Sequence, residues 1–356
     1  MTTVRAAARE ATMPVPASAP PFAVISGAQV RRALRGRERE IVRLVEAAYW
    51  LHSAGEATSS PSCVLRFPDR PSARIVALPA SMGGRVRVHG LTWLASFPEN
   101  ATAGLPRASA VLILNDHDTG YPIACLESSV IGVTRTAAFA VLAADRLGRG
   151  RPRPARVGFL GAGPIARAVH TFLAGTGWSF REIGVHDRSA AGAAGFRGYL
   201  ERWRTTGRIT VYRDAESLIR GSELVVLATA AGRPQVHDPS WLDHRPLVLH
   251  LSPRDLAPEV LLASTTIVDD VVACLRANAS AHLAERLTGG RDFLCGTLAD
   301  VLAGRVAVPA DRPVVFSPSD LGVLDLAVAK DVYDRLARAG ELRVVEDFFQ
   351  GPARPG

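Results

Sequence analysis

The stretch 157–166 reads Val-Gly-Phe-Leu-Gly-Ala-Gly-Pro-Ile-Ala, and it decides the fold class. Its first four residues belong to an apolar run that predicts a strand, and its last three begin a pattern that predicts a helix. A dinucleotide-binding loop requires this strand–turn–helix context. Gly161 makes the tight turn, Gly163 lets a pyrophosphate approach the backbone, and Ala166 allows close packing of helix on strand. Pro164 suits the first helical position. The pattern predicts an α/β, doubly wound parallel (Rossmann) domain.

The next predicted strand, Glu182–Asp187, ends in an acid close to the expected spacing of ~20 residues. A carboxylate there binds ribose hydroxyls and repels a 2′-phosphate, so we expect NAD rather than NADP. Arg188, the following residue, weakens that preference. The alternative interpretation is a glycine-rich packing turn in a fold that binds no cofactor.

Strands and helices alternate after an Arg-, Gly- and Pro-rich linker at 149–154, so we place the NAD-binding domain at 154–310. Before it, residues 21–147 predict consecutive strands with short turns, which indicate an antiparallel sheet. A long helix, Glu127–Leu147, follows that sheet, and residues 1–20 predict a disordered tail. The predicted strands of this first region are Phe22–Ile25, Cys63–Phe67, Arg74–Leu78, Arg85–Val88, Leu91–Ser96 and Ala110–Leu114.

The 356 residues are 47% hydrophobic and 21% charged, which is globular composition, and the net charge is +8. The basic residues are almost all Arg, spread from end to end among acids, so we expect no nucleic-acid partner. No run approaches the ~18 apolar residues that a membrane span needs. The four cysteines show neither CxxC nor zinc spacing, which predicts no metal site and reduced, buried thiols in a cytoplasmic protein.

Two arginines are candidates for holding a substrate carboxylate, which Arg binds bidentately. Arg66 ends a predicted strand. Arg135 interrupts an apolar helix face, where a charge is costly unless it is paired. The structural alternative for Arg135 is an ion pair with an acid such as Glu127.

Asp255 is the candidate that would manage an amine proton or a water. It follows the predicted strand Leu247–Leu251, at the strand end where doubly wound folds keep their ligands. The alternative is a helix cap, because Ala257-Pro258-Glu259 resembles a helix start.

Six further stretches resemble the ornithine cyclodeaminase/mu-crystallin family. They are 62–68 (SCVLRFP), 73–80 (ARIVALPA), 96–100 (SFPEN), 105–110 (LPRASA), 119–122 (TGYP) and 135–138 (RTAA). Phe316-Ser317-Pro318 is similar to the subgroup of NAD-dependent dehydrogenases of 2,3-diaminopropionate biosynthesis. The resemblance covers about residues 22–345.

The resemblance implies a homodimer whose first domain, an α+β substrate and dimerisation domain, is completed by 313–350. It implies NAD as cofactor and a small amino-acid substrate. The implied cofactor-binding residues are Gly161, Gly163, Pro164, Ile165, Asp187, Arg188, Thr229, His250, Leu251 and Ser252.

The resemblance also makes Asp255 the catalytic aspartate and Arg66, Arg107 and Arg135 substrate-binding residues. Thr92, a fourth substrate-binding candidate, stands where the family usually has lysine. Ala77 stands where cyclodeaminases carry glutamate, which argues against ornithine cyclisation. We expect Lys330, the only lysine, on an exposed helix face.

These features predict oxidation of an N-linked diaminopropionate–glutamate conjugate to 2,3-diaminopropionate and 2-oxoglutarate, for a siderophore or peptide natural product. One alternative is a non-catalytic NAD(H)-binding protein, because Thr92 replaces the lysine. Another is a cyclodeaminase or ketimine reductase.

Overall fold

The computed structural model describes residues 20–203, 207–276, 279–319 and 321–349. Within these ranges the chain forms two eight-stranded sheets with helices packed between and around them. The predicted tail, apart from Pro20, lies outside the described residues, as does position 350 at the end of the predicted first domain. No helix in the described ranges is long and apolar enough to cross a membrane.

The first sheet has the strand order β16-β1-β7-β6-β5-β4-β2, with β3 paired to β4. From β3 to β7 the neighbours are antiparallel, as predicted, whereas β1 runs parallel to β7. The strands are β1 (Phe22–Ile25), β2 (Ala57–Ser59), β3 (Cys63–Phe67), β4 (Arg70–Met82), β5 (Val88–Ser96), β6 (Ala108–Asp116), β7 (Pro122–Glu127) and, at the other end of the chain, β16 (Val344–Val345).

The predicted strand Arg85–Val88 is wrong. Its residues up to Arg87 form the turn between β4 and β5, and Met82 pairs with Val88 across it. Arg87 has a φ of 46°. Such a left-handed conformation belongs to a chain reversal and not to a strand.

Four helices cover the inner face of the first sheet: α1 (Gly27–Leu34), α2 (Glu38–Ser53), α3 (Ser129–Leu147) and α11 (Gly322–Arg338). Ser26 caps α1 in a capping box with Gln29. Helix α3 is buried along most of its length and also packs on the second sheet's helix α4 and strand β12, so it joins the two halves into one core.

The second sheet is entirely parallel, in the order β10-β9-β8-β11-β12-β15-β13-β14. The order reverses direction between β8 and β11, which creates the crevice where doubly wound folds bind ligands. The strands are β8 (Arg156–Leu160), β9 (Glu182–His186), β10 (Arg208–Val211), β11 (Leu224–Leu227), β12 (Leu247–His250), β13 (Thr265–Val268), β14 (Leu294–Thr297) and β15 (Val314–Phe316).

Seven helices connect these strands and flank the second sheet. They are α4 (Pro164–Gly175), α5 (Ala190–Arg202), α6 (Ala215–Arg220), α7 (Pro258–Leu262), α8 (Val271–Arg276), α9 (Ser280–Thr288) and α10 (Leu298–Leu302).

The predicted domain boundary at 313 needs correction. Strand β15 pairs with β12 on one side and β13 on the other, so it lies inside the nucleotide-type sheet and not in the first domain. Its three residues are fully buried and apolar, the pattern of a central parallel strand, but such a run does not reveal its pairing partners. The chain returns to the first sheet only with α11 and β16.

The prediction of buried thiols is also wrong for most of the cysteines. Cys63 and Cys295 are exposed, Cys125 is half-buried, and only Cys274 is buried. All four are free thiols. Cys63 lies on the apolar strand β3, whose residues are all exposed or only partly buried, and an apolar sequence does not reveal this.

Candidate active site

The glycine-rich loop lies at the crevice between β8 and β11. Gly161 has a φ of 101°, and a Cβ there would lie 2.5 Å from the backbone oxygen of Ala228. Only glycine fits this close crossing. Gly163 is the N-cap of α4, and a Cβ on it would meet no atom within 4 Å. The side of the loop at Gly161 packs tightly against Ala228. The side at Gly163, where the first turn of α4 begins with Pro164 and Ile165, is open.

Asp187 follows the last residue of β9, which ends at His186, one residue earlier than predicted. One carboxylate oxygen of Asp187 accepts the N–H of Ala162 and the other accepts the N–H of Ser189, each at 2.8 Å. The acid is therefore fixed against the glycine-rich loop, while Arg188 is exposed. An open helix N-terminus beside a fixed acid fits a dinucleotide with free ribose hydroxyls.

Asp255 is fully buried within a small hydrogen-bond network at the ends of β11 and β12. Its Oδ1 accepts hydrogen bonds from Thr229 Oγ1 and Gln235 Nε2, both at 2.6 Å. Its Oδ2 accepts the hydroxyl of Ser252. The helix that follows has Ala257 as its N-cap without a side-chain cap, so Asp255 is not a helix cap.

His250 ends β12 next to this network. Its Nδ1 lies 2.9 Å from Ser317 Oγ, and its Nε2 is buried with no hydrogen-bond partner among the described residues. Burial lowers the pKa of His250 to about 4, against an opposing effect of Asp255. The imidazole is therefore neutral at neutral pH, and Nε2 is one polar atom that a ligand or water could satisfy. Leu251, the next residue, is half-buried.

Arg135 forms a buried ion pair with Asp325 of α11, with 3.0 Å between Nε and Oδ1. The structural alternative, an ion pair with an acid, is confirmed, but the acid is Asp325 and not Glu127, whose carboxylate accepts the N–H groups of Ser129 and Val130 at the start of α3. The guanidinium also lies over the Phe139 ring, 5.6 Å from its centre. Arg135 thus links α3 to α11.

Thr92 is 5% exposed and lies on β5 between Leu78 of β4 and Leu112 of β6. No described lysine supplies the missing cation there, because Lys330 donates to both carboxylate oxygens of Asp334 one turn along α11. The structural environment of Thr92 is therefore neutral and largely apolar.

Arg66 and Arg107 are both exposed and lie at one end of the first sheet. Within the described residues neither forms an ion pair with an acid, in contrast to Arg135. The pKa of Arg107 is lowered, first because protein partly surrounds its guanidinium and second because the charge of Arg74 lies nearby. Two of the three predicted carboxylate-binding arginines thus remain available for an anion.

The matching family is "Ornithine cyclodeaminase/mu-crystallin family", whose model covers residues 24–340. The chain belongs to this family. It is 26% identical over 307 residues to nodulation efficiency protein NfeD of Rhizobium meliloti, covering 84% of this chain and 91% of the relative. It is also 26% identical over 270 residues to N-((2S)-2-amino-2-carboxyethyl)-L-glutamate dehydrogenase of Staphylococcus aureus, covering 74% of this chain and 79% of the relative.

A solved structure with the same fold is the Δ1-pyrroline-2-carboxylate reductase of Thermococcus litoralis in complex with NADH and L-proline. The TM-score is 0.83 at 21% identity, over 91% of this chain and all of the other. The predicted family and the Rossmann-type fold of this ornithine cyclodeaminase/mu-crystallin family member are confirmed.

Several residues of this family member escaped the sequence analysis although they contact candidate site residues. Gln235 donates a hydrogen bond to Asp255, and Ser317 is hydrogen-bonded to His250. Asp325 pairs with Arg135, which is 190 residues away in the sequence. Two of them gave a signal: Asp325 is an acid on an otherwise apolar helix face, and Ser317 lies in the Phe316-Ser317-Pro318 stretch that resembles the subgroup. The long-range pairings themselves have no local pattern.

Asp269 is a further buried acid that the sequence did not single out, and both Asp269 and Arg135 act electrostatically on Tyr49. Asp269 is fully buried after β13, and its Oδ1 accepts hydrogen bonds from the N–H and hydroxyl of Ser319, each at 2.8 Å. Burial raises the pKa of Asp269 to about 7 despite these hydrogen bonds. The next residue, Asp270, pairs with His52 of α2 at 3.1 Å. These contacts attach the first domain to the end of β13.

Proposed function

We propose that the chain is an NAD-dependent amino-acid dehydrogenase acting on CH–NH bonds. Its substrate is an N-linked diaminopropionate–glutamate conjugate, and its products are 2,3-diaminopropionate and 2-oxoglutarate. The product serves a siderophore or a peptide natural product. The free thiols at Cys63 and Cys295 fit a reducing, cytoplasmic setting.

One observation carries the proposal: three neighbouring strands, β8, β11 and β12, end together at the crevice. The first contributes the open glycine-rich loop, and the other two contribute the buried Asp255 network. A dinucleotide loop and a fixed carboxylate at one strand edge suit hydride transfer coupled to handling of a proton. The similarity to the Staphylococcus aureus dehydrogenase supports the substrate.

NAD⁺ held at Gly163, the first turn of α4 and Asp187 would supply the hydride acceptor. The glutamate α-carbon of the substrate loses a hydride and its nitrogen loses a proton, which leaves an imine. Water then adds to the imine carbon, both protons of that water pass to the nitrogen, and the C–N bond breaks to release the amine and 2-oxoglutarate. Asp255, oriented by Thr229, Gln235 and Ser252, positions that water and accepts its proton.

Arg66 and Arg107 hold carboxylates of this substrate, because they are exposed cations without acid partners in the described chain. Arg135, whose charge Asp325 already balances, contributes by fixing the wall of the site. Thr92 leaves a neutral position where a lysine would add charge.

The enzyme is a homodimer that packs through the outer face of its first sheet. Strand pairing places Leu65, Trp93, Val111 and Val24 on this face, all between 42% and 48% exposed. Such an apolar surface on one side of a sheet marks an interaction site. A second copy of this chain covers it.

The deciding experiment mixes purified protein with the conjugate and NAD⁺ and follows NADH absorbance together with 2-oxoglutarate release. We expect both products in equal amounts. Asp255→Asn should lower kcat by about 10²–10⁴-fold, because the water loses its proton acceptor. Asp243→Asn, which changes an exposed acid on the same domain, should leave kcat unchanged.

Other outcomes identify the alternatives. NADH binding without turnover of any amine substrate would indicate a non-catalytic NAD(H)-binding protein. Release of a cyclic amino acid from a diamino acid, or consumption of NAD(P)H with a cyclic imine, would indicate a cyclodeaminase or ketimine reductase. Either result contradicts the proposed dehydrogenase.

A further inference from the structure

Three arginines meet at one end of the first sheet, although they are far apart in sequence. Arg66 of β3 lies directly opposite Arg74 of β4. Arg74 is opposite Ser96 of β5, and Ser96 is opposite Ala108 of β6, which directly follows Arg107. Directly opposed residues on antiparallel strands have Cβ atoms about 4.5–5.5 Å apart. Arg66 and Arg74 are therefore neighbours, and Arg107 lies close enough to Arg74 for the charge of Arg74 to lower its pKa. We call these three residues the arginine cluster.

Arg66 and Arg74 of the arginine cluster lie on the inner face of the sheet, and Arg107 lies in the loop just before β6. Side chains alternate along a strand, so Arg74 shares its face with Leu78, four residues on. Leu78 pairs with Thr92, and its Cβ lies 3.5 Å from where a Cβ on Gly322 of α11 would be. This face therefore packs against α11, the helix that follows the loop containing Ser317 at the end of β15. Arg66 and Arg74 are therefore on the same side of the sheet as Thr92.

The acids near the cluster have other partners. Glu99 accepts the hydroxyl of Ser72, and Asp69 forms an ion pair with Arg70. Among the described residues, none of the three arginines of the cluster has an acidic partner. Like charges placed directly opposite each other on a sheet are destabilising. An anion bound between Arg66 and Arg74 would relieve this repulsion.

The number of cations exceeds what one carboxylate can balance. An α-carboxylate held by Arg66 would leave the charges of Arg74 and Arg107 uncompensated. Arginine binds carboxylates through two parallel hydrogen bonds, so each additional guanidinium can select a further carboxylate oxygen pair.

We propose that Arg74 and Arg107 form a second carboxylate subsite, and that Arg74 is the residue that selects dicarboxylic over monocarboxylic amino and oxo acids. The inference rests on the proposed function in one respect, that the ligand is an amino acid or its oxo-acid product. It adds a substrate class: molecules with a second carboxylate beyond the reacting carbon.

The test measures binding to the NADH-saturated protein by calorimetry, with 2-oxoglutarate as the dicarboxylic probe and pyruvate as the monocarboxylic one. We expect 2-oxoglutarate to bind wild type at least tenfold more tightly than pyruvate. Arg74→Gln should weaken 2-oxoglutarate binding by about 10- to 100-fold and change pyruvate binding by less than about threefold. Arg74→Lys should restore only part of the loss, because an ammonium lacks the planar fork.

Arg85→Gln is the matched control. Arg85 is exposed in the turn at the other end of the β4–β5 hairpin, so this variant loses the same charge without touching the cluster. It should bind both probes as wild type does. Without ligand, Arg74→Gln should melt at the same temperature as wild type or higher, since it removes like-charge repulsion.

Four results would overturn the proposal: equal loss of both probes in Arg74→Gln, equal loss of 2-oxoglutarate in Arg85→Gln, no binding of either probe to wild type, and full displacement of 2-oxoglutarate by an equal concentration of inorganic phosphate. The last would show a general anion site. Failure of the proposed reaction is separate, because it appears as absent turnover of the conjugate while dicarboxylate selectivity persists.

Discussion

Asp269 is a single buried acid that should make the stability of the fold depend on pH. It is completely buried, its Oδ2 has no hydrogen-bond partner among the described residues, and its pKa is raised to about 7. His52, Asp270, Tyr49 and Ser319 are the polar groups around it. Taking an ionised carboxylate out of water is costly, so the folded protein favours the protonated acid.

The stability of the fold should therefore depend on Asp269 in a defined pH window. The folded pKa lies above the unfolded value near 3.8, so the folded state retains a proton that the unfolded state releases. Relative to Asp269→Asn, wild type should lose stability on the order of 1 kcal/mol per pH unit as pH rises from about 5 to 7. Urea unfolding at pH 5, 6, 7 and 8 measures this difference.

Asp214→Asn provides the comparison, because Asp214 caps α6 on the surface and its pKa is lowered by hydrogen bonds from Ser217. The stabilising contribution of Asp214 is fully present above pH 5. The unfolding free energy of this variant should therefore differ from that of wild type by a constant amount across the pH range. A wild-type curve parallel to that of Asp269→Asn would show that Asp269 titrates normally.

Helix α11 is the element that connects the last strand of the second sheet to the first domain. Two of its ion pairs differ greatly in burial. Asp325 and Arg135 are both almost completely buried, whereas Lys330 and Asp334 are partly exposed. The two pairs allow buried and exposed electrostatics to be compared within one helix.

Removing the buried acid should be far more damaging than removing the exposed one. Asp325→Asn removes the carboxylate that lies 3.0 Å from the buried Arg135 guanidinium, which should cost about 3–5 kcal/mol of unfolding free energy. Asp334→Asn should cost less than about 1 kcal/mol. Chemical denaturation at pH 7.5 measures both. Equal losses would mean that water reaches Arg135.

The elements show where sequence reasoning succeeds and fails. The helix at Gly27–Leu34 and the parallel strands after residue 154 were predictable, because caps and apolar runs are local signals. The sheet membership of Val314–Phe316 was not, because every central strand has the same buried pattern. Asp255 and Asp187 could be placed by their position after strands. Gln235 could not, because only the fold brings it to Asp255.

The oligomeric state is a property of the whole molecule, and the outer face of the first sheet should determine it. Val111→Glu places a charge at the middle of this face, where it would be buried between two copies. We expect wild type to sediment as a dimer and Val111→Glu as a monomer. A dimeric Val111→Glu would exclude this face as the interface.

Val211→Glu is the matched control for this experiment. Val211 lies on β10, an edge strand of the second sheet, and is 43% exposed compared with 42% for Val111. The two variants add the same charge at equal exposure, so Val211→Glu should remain dimeric.

The placement of α11 has a consequence for synthesis of the chain. Residues 22–147 leave the ribosome first, yet the inner face of their sheet is completed by a helix, Gly322–Arg338, near the other end of the chain. The eight parallel strands from Arg156 to Phe316 are contiguous and need no later segment to complete their sheet. The part that emerges second can therefore finish folding before the part that emerges first, which must keep apolar surface uncovered until translation is nearly complete.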